Sequence, residues 1–111
     1  PTLMVFWASW CGPCMEEAPV IKAVYEKYKS KGLRVIGINK DRTRSAMQRV
    51  VDDMELGWPQ YHDADDKMSA QYAAAALPTI YLIDAKGNLV ASDMAVRGPN
   101  LEKAVVKVLG L

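Results

Sequence analysis

The chain has 111 residues, the size of one domain, and its 50% hydrophobic content suffices for a single core. A formal net charge of +1, with 14 basic and 13 acidic residues interspersed, offers no electrostatic footprint for nucleic acid or an anionic membrane. No apolar run approaches the roughly 18 residues of a membrane span, and no basic segment followed by an apolar stretch stands first as in a signal peptide.

Beginning at Pro1, without methionine, the sequence reads as a mature fragment or an excised domain. Leu3 to Ala8 (LMVFWA) and Leu33 to Asn39 (LRVIGIN) are short apolar runs rich in strand formers, and both predict buried strands. Between them, apolar residues at 18, 21, 24, 25 and 28 have a helical period, which predicts a helix over Met15 to Ser30 ending at Lys31-Gly32. Strand, helix and strand in this order favour a parallel pair with a right-handed crossover. Pro19 lies inside the helix and is expected to kink it. A second helix is predicted over Arg44 to Leu56, with Met47, Val50, Val51 and Met54 on one face and Asp41 or Thr43 as its cap. Gly57-Trp58-Pro59 breaks it; Trp58 to Tyr61 reads as a brief edge strand, and Asp63 to Asp66 as an acidic turn. A short helix over Lys67 to Ala75 follows, then a hairpin of Thr79 to Asp84 and Leu89 to Ser92, and a last helix from about Asn100 to Leu109. The expected fold class is α/β: a mixed central sheet of four or five strands with helices on both faces, in one domain spanning 1–111.

Both cysteines, Cys11 and Cys14, stand in FWASWCGPCMEEAP, separated by a glycine and a proline. Three readings compete. A zinc site wants four ligands, and two cysteines with a distant His62 cannot complete a Cys/His tetrad within the chain, so no metal is expected. A structural staple across two residues constrains little of the unfolded chain. A redox dithiol accounts for position as well as spacing. Cys11 follows a strand at the start of a helix, where free N–H groups and the aligned peptide dipoles favour a thiolate. Cys14 lies one turn further in, placed to attack a mixed disulfide formed through Cys11. Pro13 falls in the first turn, where its missing N–H costs nothing.

With FWASWCGPC after the first strand, Pro19 five residues past Cys14, Leu77-Pro78-Thr79 before the TIYLIDAKGNLV hairpin and Gly98 before the last helix, the chain resembles the thioredoxin superfamily over its whole length. More narrowly it resembles the TlpA/ResA-type thiol-disulfide oxidoreductases. The resemblance implies a thioredoxin-like fold, a cis peptide before Pro78 beside the dithiol, and backbone around Leu77 and Pro78 that pairs with an extended substrate. It also implies that Gly98 walls the substrate groove, and that Trp10, Gly12 and Pro13 form its docking surface. Thioredoxins carry a buried aspartate and a lysine to manage the proton of the inner thiol; the matching positions here are Val5 and Gly37. TlpA/ResA-like proteins show Cys-x-x-Cys-x-x-Glu-x-Pro instead, and Glu17 occupies that glutamate position. Residues three apart share a helix face, which aligns Glu17 with Cys14 as a proton acceptor, whereas Glu16 is turned away and expected in water. A central insertion at about 41–66 also fits that branch. The branch usually has a further N-terminal hairpin, so the expectation is a fragment whose parent covers the open edge of the Leu33 to Asn39 strand. His62 is read as a loop residue.

The leading functional expectation is an enzyme: a thiol-disulfide oxidoreductase that reduces disulfides of protein substrates through Cys11 and Cys14. Its redox group is the Cys11–Cys14 disulfide itself, without another cofactor, and a separate electron-donor thiol protein must restore the dithiol. Competing expectations are a disulfide isomerase or oxidase on the same residues, and a non-catalytic binding or chaperone module. The Thr-x-x-Cys loop of a peroxidase is not present. The resemblance further implies an extracytoplasmic setting, commonly the periplasm, with roles such as cytochrome c maturation. It implies no membrane contact by this domain, although the parent proteins are often tethered.

Overall fold

A computed structural model describes residues 1–111. Its elements are β1 (Thr2–Trp7), α1 (Gly12–Tyr28), β2 (Arg34–Asn39), α2 (Arg44–Asp53), β3 (Gln60–His62), α3 (Lys67–Gln71), β4 (Thr79–Ile83), β5 (Leu89–Ser92) and α4 (Pro99–Leu109). The five strands form one mixed sheet in the order β3-β2-β1-β4-β5. β1 runs parallel to β2 and antiparallel to β4, so the most apolar strand sits in the middle. Alternation along β1 sends Leu3, Val5 and Trp7 to one face and Met4 and Phe6 to the other. The first set packs under α1, α2 and α4, with Ile21, Val24, Met47, Leu101 and Val105. The second meets Ile38 and Ala74 beneath the shorter cover of α3. Each large apolar side chain withdrawn in this way contributes about 1.5–3 kcal/mol, which leaves the middle of the sheet a rigid base for the loops at its end.

Helix α1 begins where its chemistry allows. Cys11 is the cap, Pro13 lies in the first turn, and the chain leaves through a 3₁₀ turn at Lys29–Lys31 and a left-handed Gly32. Pro19 is accommodated inside the helix, which continues to Tyr28 although Pro19 offers no N–H to the Met15 carbonyl. The cap of α2 is Thr43, whose Oγ1 accepts from Ala46 N, and not Asp41.

Four expectations change. Helix α2 stops at Asp53 rather than Leu56: Glu55 takes a positive φ and Leu56 N bonds back to Val51 O, which turns the chain so that Leu56 and Trp58 become buried. Helix α3 ends at Gln71 rather than Ala75, because Ala73 also takes a positive φ and delivers Ala74 to the second core. The edge of β2 is not open along its length: Gln60–His62 pairs in parallel with Gly37–Asn39, and Pro59 O accepts from Gly37 N. His62 is therefore the last residue of β3 and not a loop residue, and its Nε2 lies 2.6 Å from the Asp41 carbonyl oxygen.

Candidate active site

The site grows from the end of β1. Past Trp7 the chain makes a turn over Ala8 to Cys11, closed by Cys11 N donating to Ala8 O at 3.2 Å. Asp41, buried just beyond β2, grips this turn through Ser9. Its carboxylate accepts from Ser9 N at 3.0 and 3.2 Å and from Ser9 Oγ at 2.6 Å, and is itself steadied by Asn39 Nδ2 at 2.8 Å. The turn throws Trp10 outward, leaving the ring 67% exposed. It also places Cys11 as the helix cap, with its Sγ accepting from Cys14 N at 3.2 Å. Cys11 and Cys14 are joined as a disulfide with their Cα atoms 5.2 Å apart. Both are buried, at 6% and 4% exposure, while the intervening Gly12 and Pro13 face solvent. The electrostatics differ between the two sulfurs: that of Cys11 sits at the helix mouth, where unpaired N–H groups stabilise negative charge. Cys14 is one turn inside, against a cavity of about 20 Å³ lined by Val5, Trp7, Met15, Ala18, Leu56 and Trp58.

Glu17 follows on the same face of α1. It is only 8% exposed, whereas Glu16 faces water. One carboxylate oxygen, Oε1, accepts from Gly98 N at 2.9 Å; the other, Oε2, is buried with no partner. The dithiol helix and the segment before α4 are thus joined by a contact between residues 81 apart in sequence. Gly98 has φ 53 and ψ −134, a conformation that side chains disfavour, so a glycine is what the contact needs. On the other flank the Leu77–Pro78 peptide is cis, as the resemblance implied. Thr79 pairs with Phe6, which sets the half-buried Leu77 and Pro78 alongside the end of β1, where the dithiol loop leaves the sheet.

The positions implied to hold thioredoxin's acid and lysine, Val5 and Gly37, face each other in register across β1 and β2. No charge stands in either. The space over Gly37 is taken by the Gln60 side chain, whose Oε1 accepts from Trp7 Nε1 at 2.9 Å.

Sequence reasoning missed three groups: Asp41, Gln60 and Asp63. Asp63 is not a solvated turn residue but a buried clamp on the start of α3, accepting from Met68 N at 3.1 Å, Ser69 N at 2.9 Å and Ser69 Oγ at 2.8 Å. Burial pushes its carboxyl up, but these hydrogen bonds outweigh that and hold it below the usual aspartate range.

A thioredoxin-like fold with a Cys-x-x-Cys pair capping its first helix defines the class of protein. Residues 1–92 match the AhpC/TSA family, and the chain belongs to that family. Among curated proteins it is similar to the thiol-disulfide oxidoreductase ResA of Bacillus cereus (strain ZK / E33L), with 38% identity over 85 residues, covering 77% of this chain and 49% of that protein. It is also similar to ResA of Bacillus subtilis (strain 168), with 29% identity, covering 77% of this chain and 48% of that protein. The chain therefore spans about half the length of these curated relatives. Among solved structures, the thioredoxin domain of a thiol-disulfide oxidoreductase from Bacteroides vulgatus superposes with a TM-score of 0.88 at 28% identity, covering 97% of this chain and 78% of that one. A thiol-disulfide oxidoreductase from Bacteroides fragilis NCTC 9343 gives a TM-score of 0.85 at 31% identity, covering 96% of this chain and 79% of that one.

Proposed function

We infer that this chain is a thiol-disulfide oxidoreductase domain that reduces disulfides in protein substrates. The observation that carries the reading is the asymmetric dithiol: Cys11 caps helix α1 with its sulfur in the field of the helix, and Cys14 is enclosed behind it. In the reducing direction the Cys11 thiolate attacks one sulfur of a substrate disulfide. A Cys11–substrate bond forms, and the other substrate sulfur leaves with the electron pair and is protonated. Cys14 then loses its proton and attacks Cys11. The Cys11–Cys14 bond forms, the Cys11–substrate bond breaks, and the second substrate thiol departs.

Glu17 is assigned the proton given up by Cys14, supported by its burial, its position one turn along and its unpartnered Oε2. Trp10, Gly12 and Pro13 on one side, Leu77 and Pro78 on another and Gly98 on the third are assigned to the substrate groove. The dithiol is the redox group and the chemistry calls for no other cofactor; a thiol protein supplies the electrons that restore it. The resemblance to TlpA/ResA-like proteins supports an extracytoplasmic setting, with the periplasm and cytochrome c maturation as the finer reading. The test is thiol release from a disulfide-bonded peptide under single-turnover conditions. The reduced protein is expected to release thiol and the Cys11→Ser variant to lose that activity; equal release by Cys11→Ser refutes the assignment.

A further inference from the structure

The outer side of β5 carries an apolar trough that the dithiol chemistry leaves unused. β5 is the last strand of the sheet, and the trough between it and α4 has a volume of about 650 Å³ and opens to solvent. Leu82 from β4, Val90 and Ala91 from β5, Ala95 from the turn that follows, and Ala104 and Val108 from α4 line it. Alanine stands at three of these six positions, where longer side chains would fill the gap. Val90 is 48% exposed, and Met94, beside Ala95, is 66% exposed. Asn100 Nδ2 donates to Met94 O at 3.1 Å and ties this turn to the first turn of α4. Apolar side chains gathered around one concavity mark a binding surface, whereas single ones scattered over a protein do not.

The charges around the trough have one sign. Asn100, Lys103 and Lys107 complete its lining, which contains no carboxylate. Residues four apart share a helix face, so the two lysines repel each other. Lys107 stands in the last turn, where the helix dipole favours a cation, but Lys103 has no such reason to be there. Neither lysine forms an ion pair. Glu102, the one acid of α4, is engaged with α1, where it accepts from Lys27 Nζ at 2.7 Å and from Tyr28 OH at 2.5 Å. An apolar concavity with an uncompensated cationic rim is complementary to a partner that carries carboxylates at the border of an apolar face.

The shape of that partner follows from the edge itself. β5 has four residues, and its register with β4 slips between Leu82 and Ile83, which leaves Val90 as an extra residue. A short, bulged edge is a poor template for an added strand. In a two-fold pairing with a second copy, the same patch would meet itself and gather four lysines without a carboxylate in either lining. A bilayer surface does not reach into a concavity, whereas one face of a helix does.

We propose that the trough between β5 and α4 docks an acidic amphipathic helix of a partner protein, its apolar face against Val90, Ala104 and Val108 and its carboxylates beside Lys103 and Lys107. The trough shares no residue with the dithiol site, and docking there needs no thiol chemistry, so the inference stands apart from the oxidoreductase reading. The helix that carries both lysines begins directly after Gly98, which links a docked partner to the element that walls the substrate groove.

The probe is a synthetic helix-forming peptide of roughly 18 residues with leucines on one face and glutamates along both borders. Its counterpart carries lysines in place of the glutamates. With isotope-labelled protein, the acidic peptide is expected to shift the amide signals of Val90, Ala95, Lys103, Ala104 and Lys107. It should bind at least about tenfold more tightly than the basic one at low salt, a gap that closes near 1 M salt, where the screening length falls to about 3 Å. The double variant Lys103→Glu/Lys107→Glu changes two exposed side chains; folded by circular dichroism and still releasing thiol from a disulfide-bonded peptide, it should invert the preference. Val90→Asp should weaken binding of the acidic peptide. Equal binding of both peptides, shifts outside the trough, or a preference that charge reversal leaves unchanged overturns the proposal. Sedimentation as a dimer that Val90→Asp abolishes would give the trough to a second copy. Binding to phosphatidylglycerol vesicles that charge reversal abolishes, with neither peptide bound, would give it to a membrane. Either of these results also overturns the proposal.

Discussion

Replacing Asp41 by alanine tests how the nucleophile loop is held. The Asp41 carboxylate is buried and accepts from Ser9 N, Ser9 Oγ and Asn39 Nδ2 at 2.6–3.2 Å. Truncation leaves the Ser9 and Asn39 donors without their acceptor. Hydrogen bonds to a charged group contribute roughly 1.5–3 kcal/mol each, offset in part by the cost of keeping a carboxylate out of water. The net loss expected is about 3 kcal/mol, a large share of the roughly 5–15 kcal/mol that holds a domain folded. With a urea slope of about 2 kcal/mol per molar, the unfolding midpoint should fall by about 1.5 M. In a double-mutant cycle with Ser9→Ala, the coupling should reach about 1 kcal/mol. A midpoint shift under about 0.3 M, or coupling indistinguishable from zero, would refute the view that Asp41 anchors the turn carrying Trp10 and Cys11.

Asp63 supplies a pH-dependent counterpart. Its carboxyl is held below the usual range in the folded state, so its contribution is present above the unfolded aspartate pKa of about 3.9 and is lost as pH falls through the folded value. Urea midpoints of wild type and Asp63→Asn should differ most near neutrality and converge in acid; a gap that does not narrow contradicts the hydrogen-bond account. Gly98→Ala forces a side chain into φ 53, ψ −134 and should cost about 1–3 kcal/mol by thermal or urea unfolding, with the contact to Glu17 loosened as well. Glu17→Gln should slow single-turnover disulfide reduction by at least about tenfold and change its pH profile; an unaltered rate and profile would leave the carboxylate as a strut for Gly98 alone.

Features that depend on local pattern were legible in the sequence. The runs around Leu3 to Ala8 and Leu33 to Asn39 became β1 and β2 because apolar, β-branched stretches have few other places to go. Gly32 ends the first helix where its glycine predicted, and the hairpin turns between Asp84 and Leu89 as expected. Glu17 stood out through the TlpA/ResA-like motif it completes, and its three-residue spacing from Cys14 is a helix property that survives into the structure. What escaped depends on partners far along the chain. Asp41 reads as one more cap candidate until the sheet brings Ser9, 32 residues away, against it. Asp63 reads as a wet turn until α3 folds back over its carboxylate. Gln60 carries no local signal: its side chain lies over Gly37 only because that residue on the neighbouring strand has no side chain. The ends of α2 and α3 were misplaced for a related reason, since Glu55 and Ala73 adopt costly left-handed conformations that tertiary burial of Leu56 and Ala74 compensates.

The division of labour between the two cysteines is tested most directly by trapping with Cys14→Ala. Incubated with a disulfide-bonded peptide and analysed by mass spectrometry under non-reducing conditions, the variant should accumulate a stable mixed disulfide mapped to Cys11, because the sulfur that would resolve it is gone. The wild-type protein should pass through the same adduct without accumulating it. A Cys14→Ala protein that forms no adduct, while the intact dithiol reduces the same peptide, would contradict the assignment of Cys11 as attacker and Cys14 as resolver.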